Sequence, residues 1–396
     1  MGLSKITVNR GKGGLGRPLA SNDHISGLIM PYTDADLPSG FTTSDRIKAV
    51  FSIAEAVALG ITEGGADTDI LWYHVDQFFK KQPKGKLYIH LVDDTAIDYS
   101  EIETLQAFAE GEIRQIGYYD GGTAFATATL NTLQTSCDNL ETADTPLSVI
   151  YAGNFEGVAN IAALDDLRAL SNKNVSVVIG EDGNGAGAAL RASKSQSITC
   201  LGAVLGAVSF SSVHENIGWV DKFEMTDGVE FDEPALALTA ATVLVKSEAK
   251  AALDSLNDKG YIFLRKHVGI NGTYLNDSPT AIALTSDYAY IENNRTIDKA
   301  VRGVRTFMLP NINSPLYVNN DGTLTEDVIA KFKNDASRAL AQMEVDGELS
   351  AFEVVINPAQ NVLSTSKIEL ALTLVPVGVA REIVLNIGFA VKLSNA

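Results

Sequence analysis

Residues 350–396 read SAFEVVINPAQNVLSTSKIELALTLVPVGVAREIVLNIGFAVKLSNA. Apolar side chains alternate in three stretches: Phe352, Val354 and Ile356; Ile368, Leu370, Leu372 and Leu374; and Ile383, Leu385, Ile387, Phe389, Val391 and Leu393, with Glu353, Glu369, Thr373, Asn386 and Lys392 between them. Successive side chains of a strand point to opposite faces, so the alternation predicts three strands with one apolar face each. Asn357-Pro358 and Pro376-Val377-Gly378 supply the breaks. Upstream, Thr323 and Glu326 have the spacing of a capping box, and Leu324, Val328, Phe332, Ala336, Leu340 and Met343 recur at helical steps up to Gly347. One long amphipathic helix over a small sheet is expected. The last predicted strand is the longest and runs almost to the final residue, where chains ordinarily fray. An open apolar edge invites aggregation, so this strand calls for a neighbour to pair with, and another molecule can supply it.

With 396 residues, 45% of them apolar, the chain can bury one large core or two ordinary ones, and two domains are expected. A net charge of -18 argues against a nucleic-acid or anionic-membrane partner, because phosphates are repelled over most of such a surface. Lys5, Arg10, Lys12 and Arg17 enclose no apolar run of signal-peptide length, and Ile6 stands where a myristoylation site has Ser or Thr. The most apolar run, Cys200 to Val208, is about half of a bilayer span, so membrane insertion is not expected. Cys137 and Cys200 are far apart with no CxxC, which points to a reducing compartment or to core thiols.

In chain order, residues 4–9 read as a short strand carrying Ile6 and Val8, and Gly11 to Gly16 spell a GxGxxG. That motif hands a phosphate to a helix N-terminus, whereas here Arg17-Pro18 and Ser21-Asn22-Asp23 follow, so a glycine tether behind a terminal strand is the reading. From Thr43 the spacing predicts helices over 44–59, 69–81, 99–110, 123–140 and 161–171 and strands over 86–92, 114–118, 147–151 and 175–179. Such alternation is the signature of a largely parallel sheet covered on both faces, an α/β domain over roughly 28–254. Beyond Lys259, residues 261–275 with Asn271-Gly272 at the turn predict a β-hairpin. Arg295, Lys299, Arg302 and Arg305 recur at helical steps, as a solvated basic face or a contact surface for a carboxylate-rich partner.

Candidate chemistry is sparse. The loop Gly180 to Gly187 follows a predicted strand and precedes a helix, where open α/β sheets bind ligands, but Glu181 and Asp182 would face a phosphate with no lysine beside them. A mobile glycine loop is the simpler reading. His24, His74, His90, His214 and His267 are scattered without metal-ligand spacing, and His90 within its strand is expected as a hydrogen-bonded core imidazole. There is no GxSxG elbow. Gly202 and Gly206 are expected to let a helix approach the sheet closely.

The stretches Ala341 to Ser350, Val354 to Pro358, Leu372 to Pro376 and Ile383 to Phe389 resemble the C-terminal region of contractile tail sheath proteins of phages and related injection machines. Phe78-Phe79 through Leu87-Tyr88, and Arg265-Lys266-His267 through Tyr274 to Asp277, are similar to an uncharacterised branch of those sheaths. The resemblance implies an outer α/β domain, residues 28–254, inserted into an inner α+β domain built from both chain ends, residues 1–27 and 255–396. It implies terminal arms that add strands to neighbouring subunits, with Ile6, Val8, Ile383, Leu385, Ile387, Phe389 and Val391 as the interface residues. Hexameric rings so linked would stack into a contractile sleeve around a tail tube on a baseplate, in a virion tail or, during assembly, in the bacterial cytoplasm. No cofactor is implied. The competing expectation is a cytosolic α/β enzyme binding a nucleotide or sugar at the Gly180 to Gly187 loop, and a tube- or baseplate-type scaffold is a third.

Overall fold

The computed structural model describes residues 22–389 apart from Ala66 and Ala240. Its central sheet is assembled from β1 (Ile25–Tyr32), β2 (Ile47–Val50), β3 (Lys86–Asp93), β4 (Gln115–Ala124), β5 (Ser148–Asn154), β7 (Val175–Val178) and β11 (Tyr261–Ile262), in the order β11-β7-β5-β4-β1-β3-β2. All neighbours pair in parallel except β2, which runs antiparallel to β3 at the edge. Alternation along β1 explains its central place. Leu28 and Met30 enter one core with helices α1 (Ile53–Ala58), α2 (Asp69–Lys81) and α6 (Leu201–Phe210). Ile25 and Ile29 enter the other, with α3 (Glu101–Phe108), α4 (Thr127–Thr142) and α7 (Lys250–Asp258). A strand buried on both faces in this way is what a covered parallel sheet requires.

Smaller pieces decorate this body. β6 (Ser171–Asn172) pairs with β14 (Ala281–Ile282), and β8 (Gly180–Asp182), β9 (Pro234–Leu236) and β10 (Val243–Leu244) form a three-stranded sheet. β12 (Leu264–Lys266) and β13 (Thr273–Leu275) form a hairpin, and α5 (Ala186–Lys194) follows β8. The C-terminal unit consists of α8 (Ile291–Met308), α9 (Glu326–Val345), β15 (Leu349–Ile356), the short α10 (Val362–Thr365) and β16 (Leu370–Pro376). Its own core joins Ala300 of α8, Ala336, Leu340 and Met343 of α9, and Leu349 and Val354 of β15.

Several expectations are corrected. The helix over 44–59 is a strand followed by a six-residue helix: the helical spacing of Ile47, Phe51, Ala54 and Val57 yields to pairing with β3, and Phe51 and Val57 end exposed. Residues 161–171 make two single 3₁₀ turns rather than an α-helix. The 261–275 hairpin begins only at Leu264, because Tyr261 and Ile262 join the parallel sheet, and its loop uses positive φ at Gly269 and Gly272 rather than a two-residue Asn-Gly turn. Gly202 and Gly206 admit α2 rather than the sheet, since a Cβ on Gly202 would lie 2.2 Å from the His74 carbonyl oxygen. The capping box is unused: Thr325 precedes α9 and Thr323 Oγ1 bonds Asp321. Gly347 does end α9, with φ +75°. Residues 27 and 28 lie within β1, and 254 and 255 within α7. Ile6, Val8, the Gly11 to Gly16 tether and Val391 lie outside the described residues.

Candidate assembly interface

The C-terminal unit exposes a sheet of two strands. β15 and β16 run antiparallel from Ala351↔Val375 to Ile356↔Leu370, and among the described residues neither outer edge meets a further strand. α9 packs on β15, burying Leu349, Val354 and Ile356, whereas Leu370 and Leu374 are half-buried and Leu372 and Val375 exposed. An isolated two-stranded ribbon is marginal in water, and this one draws its order from α9 on one face only.

The third predicted strand takes a different form from the expectation. After Pro376 the chain continues to residue 389 without strand hydrogen bonds to its own molecule. Ile383 is 76% exposed and Ile387 92%, and Leu385 and Phe389 are as open. The alternation that predicts a strand is present, but among the described residues it has no strand partner. Strand conformation needs a ladder, and isolated segments do not hold one. Sequence reasoning missed what precedes this stretch: the Arg381 side chain reaches Asp277 and Glu292, the latter in the first turn of α8.

Each cation of the basic row on α8 is bonded within the chain, and all but Arg305 are withdrawn from solvent. Arg295 donates to Ser211 Oγ at 2.7 Å and is buried, Lys299 bridges Asp23 (2.7 Å) and Glu348 (2.6 Å), Arg302 reaches the Pro146 carbonyl oxygen at 3.4 Å, and Arg305 pairs with Asp144 at 2.5 Å. These cations fasten α8 to the α/β body on one side and to the start of β15 on the other. The rationale is electrostatic: charges this far from water persist when paired and hydrogen-bonded.

The Gly180 to Gly187 loop is pinned rather than mobile, and its anion site is filled from within. Asp182 accepts the N–H groups of Gly185 (2.6 Å), Phe231 (3.0 Å) and Ala188 (3.3 Å), and Glu230 accepts that of Ala186. The free N–H groups at the start of α5 therefore face two carboxylates of the protein itself, which leaves a phosphate neither donors nor favourable charge. Burial, then the nearby Asp182, pushes Glu230 up to about 7. Glu181 is sequestered in a buried ion pair with Arg191.

The sheet has a crevice where open α/β folds bind ligands, beyond the carboxyl ends of β1 and β4. It measures about 490 Å³ and gathers Asp36, Asp67, Asp69, Asp94 and Asp120 around Lys194, which pairs with Asp69 at 3.1 Å. Nucleotide phosphates are repelled here as well. No three-member group of His, Cys, Asp or Glu among the described residues is placed to hold a metal. Burial drives His74 down to about 3 and His90 down to about 4, so both are neutral; His90 is buried and hydrogen-bonded to the backbone of Glu101, as expected of a core imidazole, while its Nδ1 has no partner. Both thiols are buried and free, and burial pushes them up. No described helix is long and apolar enough to cross a membrane.

The fold, a mostly parallel α/β body carrying a helix-covered, two-stranded C-terminal unit, is similar to that of solved chains from contractile injection systems and of a sheath tail protein. A chain of the anti-feeding prophage baseplate superposes with a TM-score of 0.62 at 13% identity, covering 98% of this chain and 99% of that one. A chain of the sheath complex of an extracellular contractile injection system in its contracted state gives 0.61 at 15% identity, covering 99% and 98%. The sheath tail protein from Desulfitobacterium hafniense gives 0.54 at 8% identity, covering 94% and 100%. The chain itself belongs to the DUF2586 family: the N-terminal domain of that family matches residues 3–279 and its C-terminal domain residues 287–394. No curated protein matches it in sequence.

Proposed function

We propose that the protein is a structural subunit of a contractile tail sheath, polymerising by strand exchange between neighbours into a sleeve around a tail tube. The observation that carries this reading is the exposed alternating segment Ile383 to Phe389, following a hairpin whose outer edges meet no further strand among the described residues. Main-chain hydrogen bonds hold a donated strand whatever its sequence, and the alternating apolar face fixes its register, so one element supplies both strength and specificity. Ile383, Leu385, Ile387 and Phe389 would make that face, with Val391 next in the sequence alternation and Ile6 and Val8 proposed for the same role at the other end of the chain.

In this reading the α/β body is the outer domain and the unit from α8 onward is the inner one facing the tube. We set the division of this proposal near residue 285, a choice supported by the break between the two matched family domains, where the sequence reading set it at 254. Stacked hexameric rings, a tail tube and a baseplate are the partners, and the site of action is a virion or injection-system tail. Contraction would be a change between two packings of rigid bodies joined by strands, with no cofactor.

A chain ended after Glu382 tests the proposal. It keeps every described contact of the body and loses the alternating face, so it should stay folded and fail to form rings or tubes by negative-stain electron microscopy. Tubes from the shortened chain would refute strand exchange through this arm.

A further inference from the structure

We infer that Arg381 is the anchor of the C-terminal arm, latching its root to the first turn of α8 so that the apolar residues beyond it leave the body from one fixed point. What the arm then does rests on the sheath reading; the latch is a property of the single chain.

Five residues separate the end of β16 from Ile383's neighbour Glu382, and they cross the α/β body beside a groove of about 1360 Å³. At Arg381 they are gripped. Nε donates to Asp277 Oδ2 at 2.9 Å and to Oδ1 at 3.2 Å, Nη2 donates to Glu292 Oε1, and the guanidinium lies over the Tyr290 ring with Cζ 3.4 Å from its centroid. The arginine side chain is 31% exposed, but Glu292 is only 3% exposed. Its other partners are neutral, Ser278 Oγ and Asn216 Nδ2, and Arg381 is its one ion-pair partner among the described residues. A planar guanidinium can serve two carboxylates and an aromatic face together; an ammonium cannot. Losing the cation strands a carboxylate in a dry site, which is far costlier than losing a surface pair.

The place of attachment has a mechanical meaning. Tyr290 and Glu292 begin α8, and the same helix carries Arg295, Lys299, Arg302 and Arg305, which join the two units of the chain. The residues from Asp277 to Tyr290 are themselves braced by Arg168, whose Nη1 donates to the carbonyl oxygens of Thr280, Ile282 and Ala289 at 3.1 Å each. A pull on the arm is thus delivered to the joint between the units and spares the two-stranded hairpin. Beyond the anchor, residues 382–396 reach at most about 50 Å when extended.

Spin labels on Lys250→Cys and Glu382→Cys of the otherwise intact monomer test the latch, the native thiols being buried. The Arg381 chain should give one narrow distance distribution. Arg381→Gln should widen it at least twofold, and Arg381→Lys should restore it only in part. Because Arg381→Gln leaves Glu292 unpaired, Arg381→Gln/Glu292→Gln is the control for folding: it should regain stability toward urea while its distance distribution stays wide. A narrow, unshifted distribution in that double variant would overturn the inference. These distances decide the latch in the monomer, whereas the chain ended after Glu382 decides the strand exchange, so either can fail alone.

Discussion

Replacing Leu385 and Ile387 together by Asp should stop polymerisation while leaving the monomer unchanged. The two side chains are 77% and 92% exposed, so the fold gains little from them. On a neighbouring sheet each would be buried, a transfer worth about 1.5–3 kcal/mol per aliphatic side chain. Forfeiting both removes about 3–6 kcal/mol from each donated strand, before counting the cost of burying carboxylates. At about 1.4 kcal/mol per decade, association weakens between a hundredfold and ten-thousandfold. Asn386 points to the opposite face of the same segment, so Asn386→Asp should shift assembly only a few-fold. Critical concentrations from sedimentation, with negative-stain images of the pellets, measure both. Polymers from the double variant at the unsubstituted protein's concentration would refute the reasoning, as would an equal loss from Asn386→Asp, which would mean that register and facing do not matter.

Three further outcomes follow from the body of the chain. Because burial and Asp182 raise Glu230 to about 7, the folded chain holds a proton there that the unfolded chain releases near 4.5; the associated stability is complete below that value and is lost as pH rises through about 7. Glu230→Gln should remove about 2 kcal/mol of the fall in unfolding free energy between pH 5 and pH 8, measured by urea titration. Gly202→Ala, which drives a Cβ to 2.2 Å from the His74 carbonyl oxygen, should destabilise by about 1–3 kcal/mol in the same assay, whereas Gly388→Ala, with open space around it, should change nothing. Lys299→Met leaves Glu348 buried without its cation and should cost about 2–4 kcal/mol, with hydrogen exchange rising first at the ends of α8 and β15.

The C-terminal half was readable where one face of an element meets a local partner. Val328, Phe332, Ala336, Leu340 and Met343 fall on the buried side of α9, and Val354 and Ile356 on that of β15, as their spacing predicts. The strands of the α/β body were readable because apolar runs bounded by turns leave few alternatives. The edge strand β2 was not, since its partner β3 lies about forty residues on and no local signal outweighs the helical spacing. The α8 cations defeat sequence reasoning for the same reason: Asp23, Asp144 and Glu348 come from three distant places, and only folding brings them to one helix. Arg381 has no signal of its own, and a lone arginine between a turn and an apolar run is indistinguishable from a solubilising charge.

The sign of the salt effect discriminates between two ways of joining subunits. Each copy carries a net charge of -18, so bringing copies together is opposed over the whole surface. The α8 cations and Arg381 are paired within the chain. In the proposed strand exchange, joining comes from main-chain pairing and apolar burial, which salt does not weaken, while it screens the repulsion with a Debye length of about 10 Å at 0.1 M. The critical concentration should therefore fall several-fold between about 20 mM and 200 mM NaCl, the opposite of an interface built on ion pairs. A rise over that range, read by light scattering, would mean that charges on neighbouring copies attract one another and that strand donation is not what holds the polymer together.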